Sequence, residues 1–207
     1  MKVLLINGSP NAHGCTYTAL SEVAKTLEEN GISTEIVHVG HLNIRGCISC
    51  GKCTPDGHCV FDDIVNEVGD KMRAADGLVV GSPVYYASSN ATLNALLDRM
   101  FFSNRTDLTM KVGACVVSAR RGGCSSTFDQ LNKYFTISGM PIASSQYWPM
   151  VHGNTPEEVE QDEEGLQIMR TLARNLAWMM KSFAIAKEHG ILPPAPEKDK
   201  KRTNFIR

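Results

Sequence analysis

The chain has 207 residues, of which 43% are hydrophobic and 21% are charged, proportions typical of a soluble globular protein with one large domain. Its 21 basic and 22 acidic residues give a net charge of −1, which argues against a nucleic-acid partner because such proteins carry a basic surplus. No apolar stretch approaches the roughly 18 residues of a membrane span, and the N-terminal apolar run is too short for a signal peptide, so we expect a cytoplasmic protein with no membrane partner.

Short apolar runs alternate with amphipathic stretches along the chain, a pattern typical of a parallel sheet covered by helices on both faces. The predicted strands lie at residues 3–6, 33–39, 77–81, 112–118 and 141–147. The predicted helices lie at residues 16–30, 91–102, 128–137 and 156–183. A further helix is predicted to begin after Asp62, which would be its N-cap. The sequence therefore predicts an α/β protein with a doubly wound, three-layer architecture and five parallel strands.

Three loops are candidates for a ligand site, because doubly wound sheets bind ligands beyond the carboxyl ends of their strands. They follow the first, third and fourth strands, at residues 8–17, 82–88 and 118–125. The first is rich in small and hydroxyl residues, and either holds a phosphate at a helix start or is an ordinary capped turn. The second is aromatic and either flanks a planar ring or is a plain loop. The third has two adjacent glycines, where main chain can approach a ligand closely.

The seven cysteines form an odd set without an export signal, which favours a metal or redox role over a disulfide scaffold. Four of them follow the spacing C-x2-C-x2-C-x5-C: Cys47, Cys50, Cys53 and Cys59. Four thiolates this close suit a [4Fe–4S] cluster, and they also suit a tetrahedral zinc ion. Reduced or disulfide-forming thiols are the third alternative, and the spacing leaves all three open.

These motifs together resemble the NADPH-dependent FMN reductases, and within them the iron–sulfur flavoproteins, which add a compact cysteine cluster. The resemblance rests on four short segments: Gly8-Ser9-Pro10 with Gly14-Cys15-Thr16, Gly81-Ser82-Pro83-Val84-Tyr85, Leu93 with Leu96-Leu97-Asp98-Arg99, and Gly122-Gly123. It implies a flavodoxin-like fold over residues 1–183 with a cysteine-rich insert at 46–60, followed by a tail at 184–207.

The resemblance also implies non-covalently bound FMN, with NAD(P)H as co-substrate. The implied phosphate contacts are Ser9, Asn11, Cys15, Thr16 and Tyr17. The implied ring contacts are Pro83, Val84, Tyr85 and Tyr86 on one side and Ala119, Arg120, Arg121, Gly122 and Gly123 on the other. No side chain is assigned as catalytic, because the flavin itself carries the hydride chemistry. The electron acceptor would be a quinone, a nitro or azo compound, free flavin or a ferredoxin-like protein.

Two other classes of protein remain open at this point. One is a flavodoxin-type electron carrier with no nicotinamide site, and the other is a metal-binding or regulatory module on a scaffold without flavin. We also expect a homodimer or homotetramer in which residues 88–105 form the contact. The reason is that four residues there, Leu96, Leu97, Phe101 and Phe102, are more apolar than one helix face needs.

Overall fold

The computed structural model describes residues 1–104 and 108–195, together with residues 197, 199, 201 and 203. Its strands are β1 Lys2–Asn7, β2 Ser33–His38, β3 Gly77–Pro83, β4 Val112–Ala119 and β5 Met150–His152. Its helices are α1 Cys15–Glu29, α2 Ile64–Ala74, α3 Ala91–Ser103, α4 Cys124–Ile137, α5 Pro156–Glu160 and α6 Glu163–Glu188. All strand pairs are parallel and the order is β2-β1-β3-β4-β5, so the predicted doubly wound five-stranded sheet is confirmed.

The three central strands are buried on both faces, which explains why β1, β3 and β4 read as continuous apolar runs. Alternate residues of β1 enter different cores, with Leu5 on one side of the sheet and Leu4 on the other. The Leu5 side is covered by α1 and α6, and the Leu4 side by α2, α3 and α4. The outcome is a three-layer α/β sandwich.

The prediction of a strand at residues 141–147 is wrong, because the edge of the sheet is split into two pieces. Ile142 makes an isolated parallel bridge with Gly113, and pairing resumes only where Met150 lies beside Val117. The segment between them bonds to α6 instead: Asn175 donates to the Ser144 carbonyl at 2.8 Å, and the Ser145 hydroxyl donates to the Ile168 carbonyl at 2.7 Å. The fifth strand of the sheet is therefore formed by residues 150–152 and not by the apolar run at 141–147.

The prediction of one helix over residues 156–183 is also wrong, since α5 and α6 are separate helices. Asp162 causes the break, because its carboxylate caps α6 by accepting from the Gly165 amide at 3.0 Å. The same carboxylate accepts from the His152 amide at 2.7 Å, which ties the break to β5. α6 then continues to Glu188, five residues beyond the predicted end. None of the helices in the described ranges is long and apolar enough to cross a membrane.

Two helix starts also differ from their predicted positions. The N-cap of α2 is Asp63 rather than Asp62, because the Asp63 carboxylate accepts from the Val65 amide at 3.1 Å. α4 begins at Cys124, four residues before the predicted start, directly after Gly123. Gly123 has a left-handed conformation with φ of +94°, and this conformation turns the chain from β4 into the helix.

The apolar residues of α3 lie in the core of the chain itself, which removes the argument for a subunit contact there. Leu96, Leu97 and Phe101 are at most 5% exposed, and only Phe102 is substantially exposed. The ring of Phe101 packs against Tyr134 and Phe135 of α4, with centroids 5.3 and 6.1 Å apart. Because α3 is packed between the sheet and neighbouring helices, it needs apolar groups on more than one face.

Replacing Leu96 with alanine should therefore destabilise the single chain. We expect the free energy of unfolding to fall by about 2–5 kcal/mol, because a fully buried leucine leaves a cavity. The control is Ile137→Ala, at an 87% exposed position, which should change it by less than about 0.5 kcal/mol. Urea denaturation followed by circular dichroism measures both. Equal effects of the two substitutions would contradict the burial of α3.

Candidate functional site

The loops after β1, β3 and β4 meet at one edge of the sheet, as their parallel strands require. The Gly8 amide donates to the Gly81 carbonyl at 2.9 Å, which joins the first loop to β3. The Val84 amide donates to the Ser118 carbonyl at 3.0 Å, which joins the second loop to β4. The hydroxyls of Thr16 and Ser118 lie 2.8 Å apart in the buried space beneath the loops. The three segments predicted to bind a ligand are therefore one continuous structure.

A buried asparagine shapes the first loop. The side-chain oxygen of Asn7 accepts from the Ser9 amide at 3.0 Å, and its nitrogen donates to the Ala12 carbonyl at 3.1 Å. The hydroxyl of Ser9 in turn accepts from the Asn11 amide at 3.2 Å, so the hydroxyl proton of Ser9 remains available to a ligand. The loop is thereby held in a curve around the start of α1.

The start of α1 has the properties of an anion site. Its N-cap is Gly14, no side chain within the described ranges caps it, and its first turn has no acidic residue. The first amides of a helix have no partner inside the helix, and they form the positive end of its dipole. The backbone of residues 15–17 therefore offers N–H donors to a phosphate that no lysine or arginine of this loop neutralises.

The side chains of the predicted phosphate residues differ in what they contact. The hydroxyl of Thr16 bonds to Ser118 of β4, and the sulfur of Cys15 lies 3.6 Å from the Gly153 carbonyl. Burial raises the pKa of the Cys15 thiol, which keeps it neutral. The ring of Tyr17 packs edge-on against His13, with centroids 4.7 Å apart. The side chains of Cys15 and Thr16 are therefore engaged within the protein, so a phosphate at this helix start would meet the backbone amides of these residues.

The predicted ring loop after β3 is a tight turn with an uncommon backbone. Tyr85 and Ser88 exchange both backbone hydrogen bonds, at 2.8 and 3.0 Å. Between them Tyr86 and Ala87 have positive φ angles of +51° and +58°, which residues other than glycine rarely adopt. The side chain of Tyr86 is fully exposed. Such strain persists where surrounding contacts enforce it, and it is concentrated at ligand sites.

Gly123 supplies those contacts from the loop after β4. A Cβ atom on Gly123 would lie 2.8 Å from a methyl group of Val84 and 2.9 Å from the Cα atom of Ala87. The hydroxyl of Ser126 also donates to the Ala87 carbonyl at 2.7 Å. The two predicted ring loops are therefore fitted against each other. The neighbouring residues Arg120, Arg121 and Gly122 are exposed.

Two parts of this site are not predicted from the sequence. Gly40, after β2, lies so close to the Ser9 carbonyl that a Cβ atom would overlap it. His38 holds the same carbonyl through its ring at 2.7 Å. The segment after β2 thus supports the back of the phosphate loop. A glycine directly after a strand was the available signal, but nothing in the sequence connects it to Ser9.

The end of β5 adds a second group at this edge. His152 pairs with Ala119 in the sheet, and its ring lies 3.9 Å from the sulfur of Cys124 and 3.9 Å from the carboxylate of Asp162. Burial raises the pKa of the Cys124 thiol, so this sulfur remains protonated. This position of His152 cannot be predicted from the sequence, because the residues around its ring are distant in the chain.

The four spaced cysteines lie in the irregular segment between β2 and α2. All four line one small pocket, together with Phe61, Arg99 and Phe102. Cys47 and Cys50 are exposed, whereas Cys53 and Cys59 are partly buried. Over residues 1–104 and 108–195, no three histidine, cysteine or acidic side chains are grouped closely enough to hold a metal ion. The predicted thiols thus share a pocket without surrounding a common centre.

The architecture defines the class of protein. The strand order 2-1-3-4-5 is the flavodoxin-like order, and FMN binds such sheets at the switch point between β1 and β3, where these loops meet. The chain belongs to the NADPH-dependent FMN reductase family, whose family model matches residues 1–155. It is therefore an FMN-binding flavoprotein of an oxidoreductase family, as the sequence motifs predicted.

Individual relatives agree with this assignment. An iron–sulfur flavoprotein of Methanocaldococcus jannaschii is 33% identical over 190 residues, covering 87% of this chain and 98% of the relative. An iron–sulfur flavoprotein of Methanosarcina thermophila is 32% identical over 180 residues, covering 85% and 93%. A solved flavodoxin from the domain Archaea has a TM-score of 0.61 at 15% identity and covers 87% of this chain and 99% of its own, which confirms the flavodoxin-like fold.

The residues at the sheet edge fit FMN. The uncapped start of α1 has neutral donors and no acidic side chain in its first turn, which suits the phosphate. The exposed Tyr86 and the backbone around Gly123 leave aromatic surface and main-chain groups for a planar ring. The site is therefore built mainly from backbone and small polar side chains rather than from charges.

Gly123→Ala should weaken FMN binding at least about tenfold, equivalent to about 1.4 kcal/mol. The reason is that the Cβ atom would push against the Val84–Ala87 turn at a positive φ. The control is Gly46→Ala, outside the three loops, where no atom lies within 4 Å of the added Cβ, so FMN affinity should stay within about threefold of the wild-type value. Quenching of FMN fluorescence during titration of the FMN-free chain measures both. Equal affinities for the two variants would show that the fit of the loops is irrelevant to the flavin.

Proposed function

We propose that this chain is an NAD(P)H-dependent FMN oxidoreductase of the cytoplasm that carries a [4Fe–4S] cluster on Cys47, Cys50, Cys53 and Cys59. Electrons would pass from a reduced nicotinamide to a quinone, a nitro or azo compound, free flavin or a ferredoxin-like protein. The observation that carries the proposal is the meeting of three ligand loops with an uncapped helix start at the β1/β3 switch point. The family membership supports the reductase, and the similar iron–sulfur flavoproteins support the cluster.

FMN, when bound, supplies hydride acceptance and release of electrons in ones or twos. The chain's own part is to hold and polarise it. The amides of residues 15–17 and the Ser9 hydroxyl would bind the phosphate. Amides of Gly122 and Gly123, with Arg120, would donate hydrogen bonds where negative charge develops on the reduced ring. No side-chain acid or base is required for this role, so none is assigned.

The thiols of the cysteine pocket, and the N–H groups that donate to them, suit an iron–sulfur cluster. Thiolates are the usual ligands of [4Fe–4S] centres, and N–H groups that donate to their sulfurs stabilise the negative charge. Two such donors are present, since the Ser49 amide lies 3.4 Å from the sulfur of Cys47 and the Nε of Arg99 lies 3.4 Å from the sulfur of Cys59. Zinc would use the same thiols, so metal analysis separates the two.

We also propose that the chain works as a homodimer or homotetramer. Several large apolar side chains are exposed on the single chain, among them Trp178 and Ile185. Burial of such groups is the usual driving force for association. Sedimentation of the FMN-loaded chain as a monomer only would rule this out.

Anaerobic stopped-flow mixing with NADPH or NADH tests the reductase. We expect at least one nucleotide to bleach the visible absorbance of the bound flavin, because the nicotinamide delivers a hydride to it. If the flavin is reduced by dithionite but by neither nucleotide, the chain is a flavodoxin-type carrier. A chain that binds no flavin would leave only the metal-binding or regulatory class.

Cys50→Ser should abolish the cluster. We expect about four irons per wild-type chain purified without oxygen and less than about one in the variant, because one of the four thiolate ligands is lost. The control is Cys115→Ala, since Cys115 is buried in β4 and lies outside the cysteine pocket, so iron content should be unchanged. Elemental analysis and the absorption spectrum measure this. Zinc in place of iron, or the absence of both metals, would contradict the cluster.

A further inference from the structure

Arg99 of α3 is a buried guanidinium next to the cysteine pocket. Its side chain is 0% exposed, and its two terminal nitrogens donate to the two carboxylate oxygens of Asp63 at 2.7 and 2.9 Å. This bidentate geometry fixes the plane of the guanidinium. A guanidinium remains protonated in proteins, so Arg99 carries a positive charge beside the Asp63 carboxylate.

The remaining hydrogen bonds of Arg99 reach both ends of the cysteine segment. One terminal nitrogen lies 3.3 Å from the Arg45 carbonyl, two residues before Cys47. The other lies 3.5 Å from the Phe61 carbonyl, two residues after Cys59. The Nε atom donates to the sulfur of Cys59 at 3.4 Å. One side chain thus holds the entry and the exit of the segment and one of its four thiols.

Cys59 is also fixed through its backbone, unlike the exposed thiols. Its amide donates to the side-chain oxygen of Asn66 at 2.8 Å, and its carbonyl accepts from the nitrogen of the same side chain at 3.1 Å. Cys47 and Cys50, by contrast, are exposed. The pocket is therefore asymmetric. Cys59 is held against the core, whereas Cys47 and Cys50 lie on the exposed part of the segment, residues 47–50, called the outer arm below.

We propose that Arg99 is the positioning residue of the cysteine site, because it fixes Cys59 as the first ligand to which the thiols of the outer arm are added. Its charge and its N–H donor also raise the reduction potential of the cluster. This inference rests on the proposed [4Fe–4S] function. Hydrogen bonds to ligand sulfurs and the local net charge are the main protein factors that set such potentials. A ligand that is already fixed also lowers the conformational entropy that the rest of the loop must lose when metal binds.

The first test uses the iron-free chain and hydrogen exchange of the backbone amides. Arg99→Met removes all donors at similar volume, and Arg99→Lys keeps the charge but loses the fork. Because Asn66 alone would then hold Cys59, we expect the segment to open more often and exchange of the Cys59 amide to rise at least about tenfold in both variants, while amides of α1 keep their wild-type rates. The control is Arg45→Met, which removes an exposed guanidinium 4.4 Å from the Phe61 ring but leaves the Arg45 carbonyl for Arg99. Wild-type exchange at Cys59 in the Arg99 variants would overturn the positioning role.

The second test measures the reduction potential of the reconstituted cluster by titration followed with electron paramagnetic resonance. We expect a shift to more negative values in Arg99→Met and a smaller shift in Arg99→Lys, since lysine retains the charge. A wild-type potential in every Arg99 variant that folds would overturn the electrostatic role, which a purely structural side chain would not have. If the wild-type chain takes up no iron, the proposed cluster is wrong, but the exchange experiment still decides whether Arg99 fixes Cys59.

Discussion

The site depends on close backbone contact between the ends of β1 and β3. The amide of Gly8 donates to the carbonyl of Gly81, and a Cβ atom on either glycine would lie within 3 Å of a core leucine side chain. Because these two strands are neighbours while the chain between them crosses to β2, their ends diverge into separate loops. The gap that this reversal leaves is where the start of α1 and the aromatic turn come together.

The sequence predicts the centre of this fold better than its edges. β1, β3 and β4 are buried on both faces, so their apolar runs are unambiguous. β5 has only three residues and pairs on one side, and the adjacent segment satisfies its backbone through Asn175 of α6. The boundary between α5 and α6 escaped detection because residues 160–165 contain no apolar side chain whose spacing would mark it, and because the capping role of Asp162 depends on its local backbone.

The candidate site also has a part that the sequence predicts and a part that it does not. Its three loops were predictable because topology alone places them at the carboxyl edge of the sheet. Gly40 and Arg99 were not, because each acts through contacts between residues far apart in the chain: Arg99 meets Cys59 across 40 positions and Asp63 across 36. The motif that contains Arg99 contributed to the family resemblance, but its pattern does not show that the side chain points into the cysteine pocket rather than to solvent.

One helix connects the two halves of the proposed electron path. α3 begins at the Asn90 cap, whose amide donates to the Ser82 hydroxyl at 3.0 Å, directly below the aromatic turn. Nine residues later the same helix presents Arg99 to the cysteine pocket, and at 1.5 Å per residue this is about 14 Å along its axis. Because α3 is packed on the core through Leu93 and Leu96, both ends are fixed relative to each other. The flavin loop and the cysteine segment are therefore positioned by one rigid element, although the cysteine segment itself has no regular structure. This explains how an irregular insert can hold Cys59 at a defined place beside the flavodoxin-like domain.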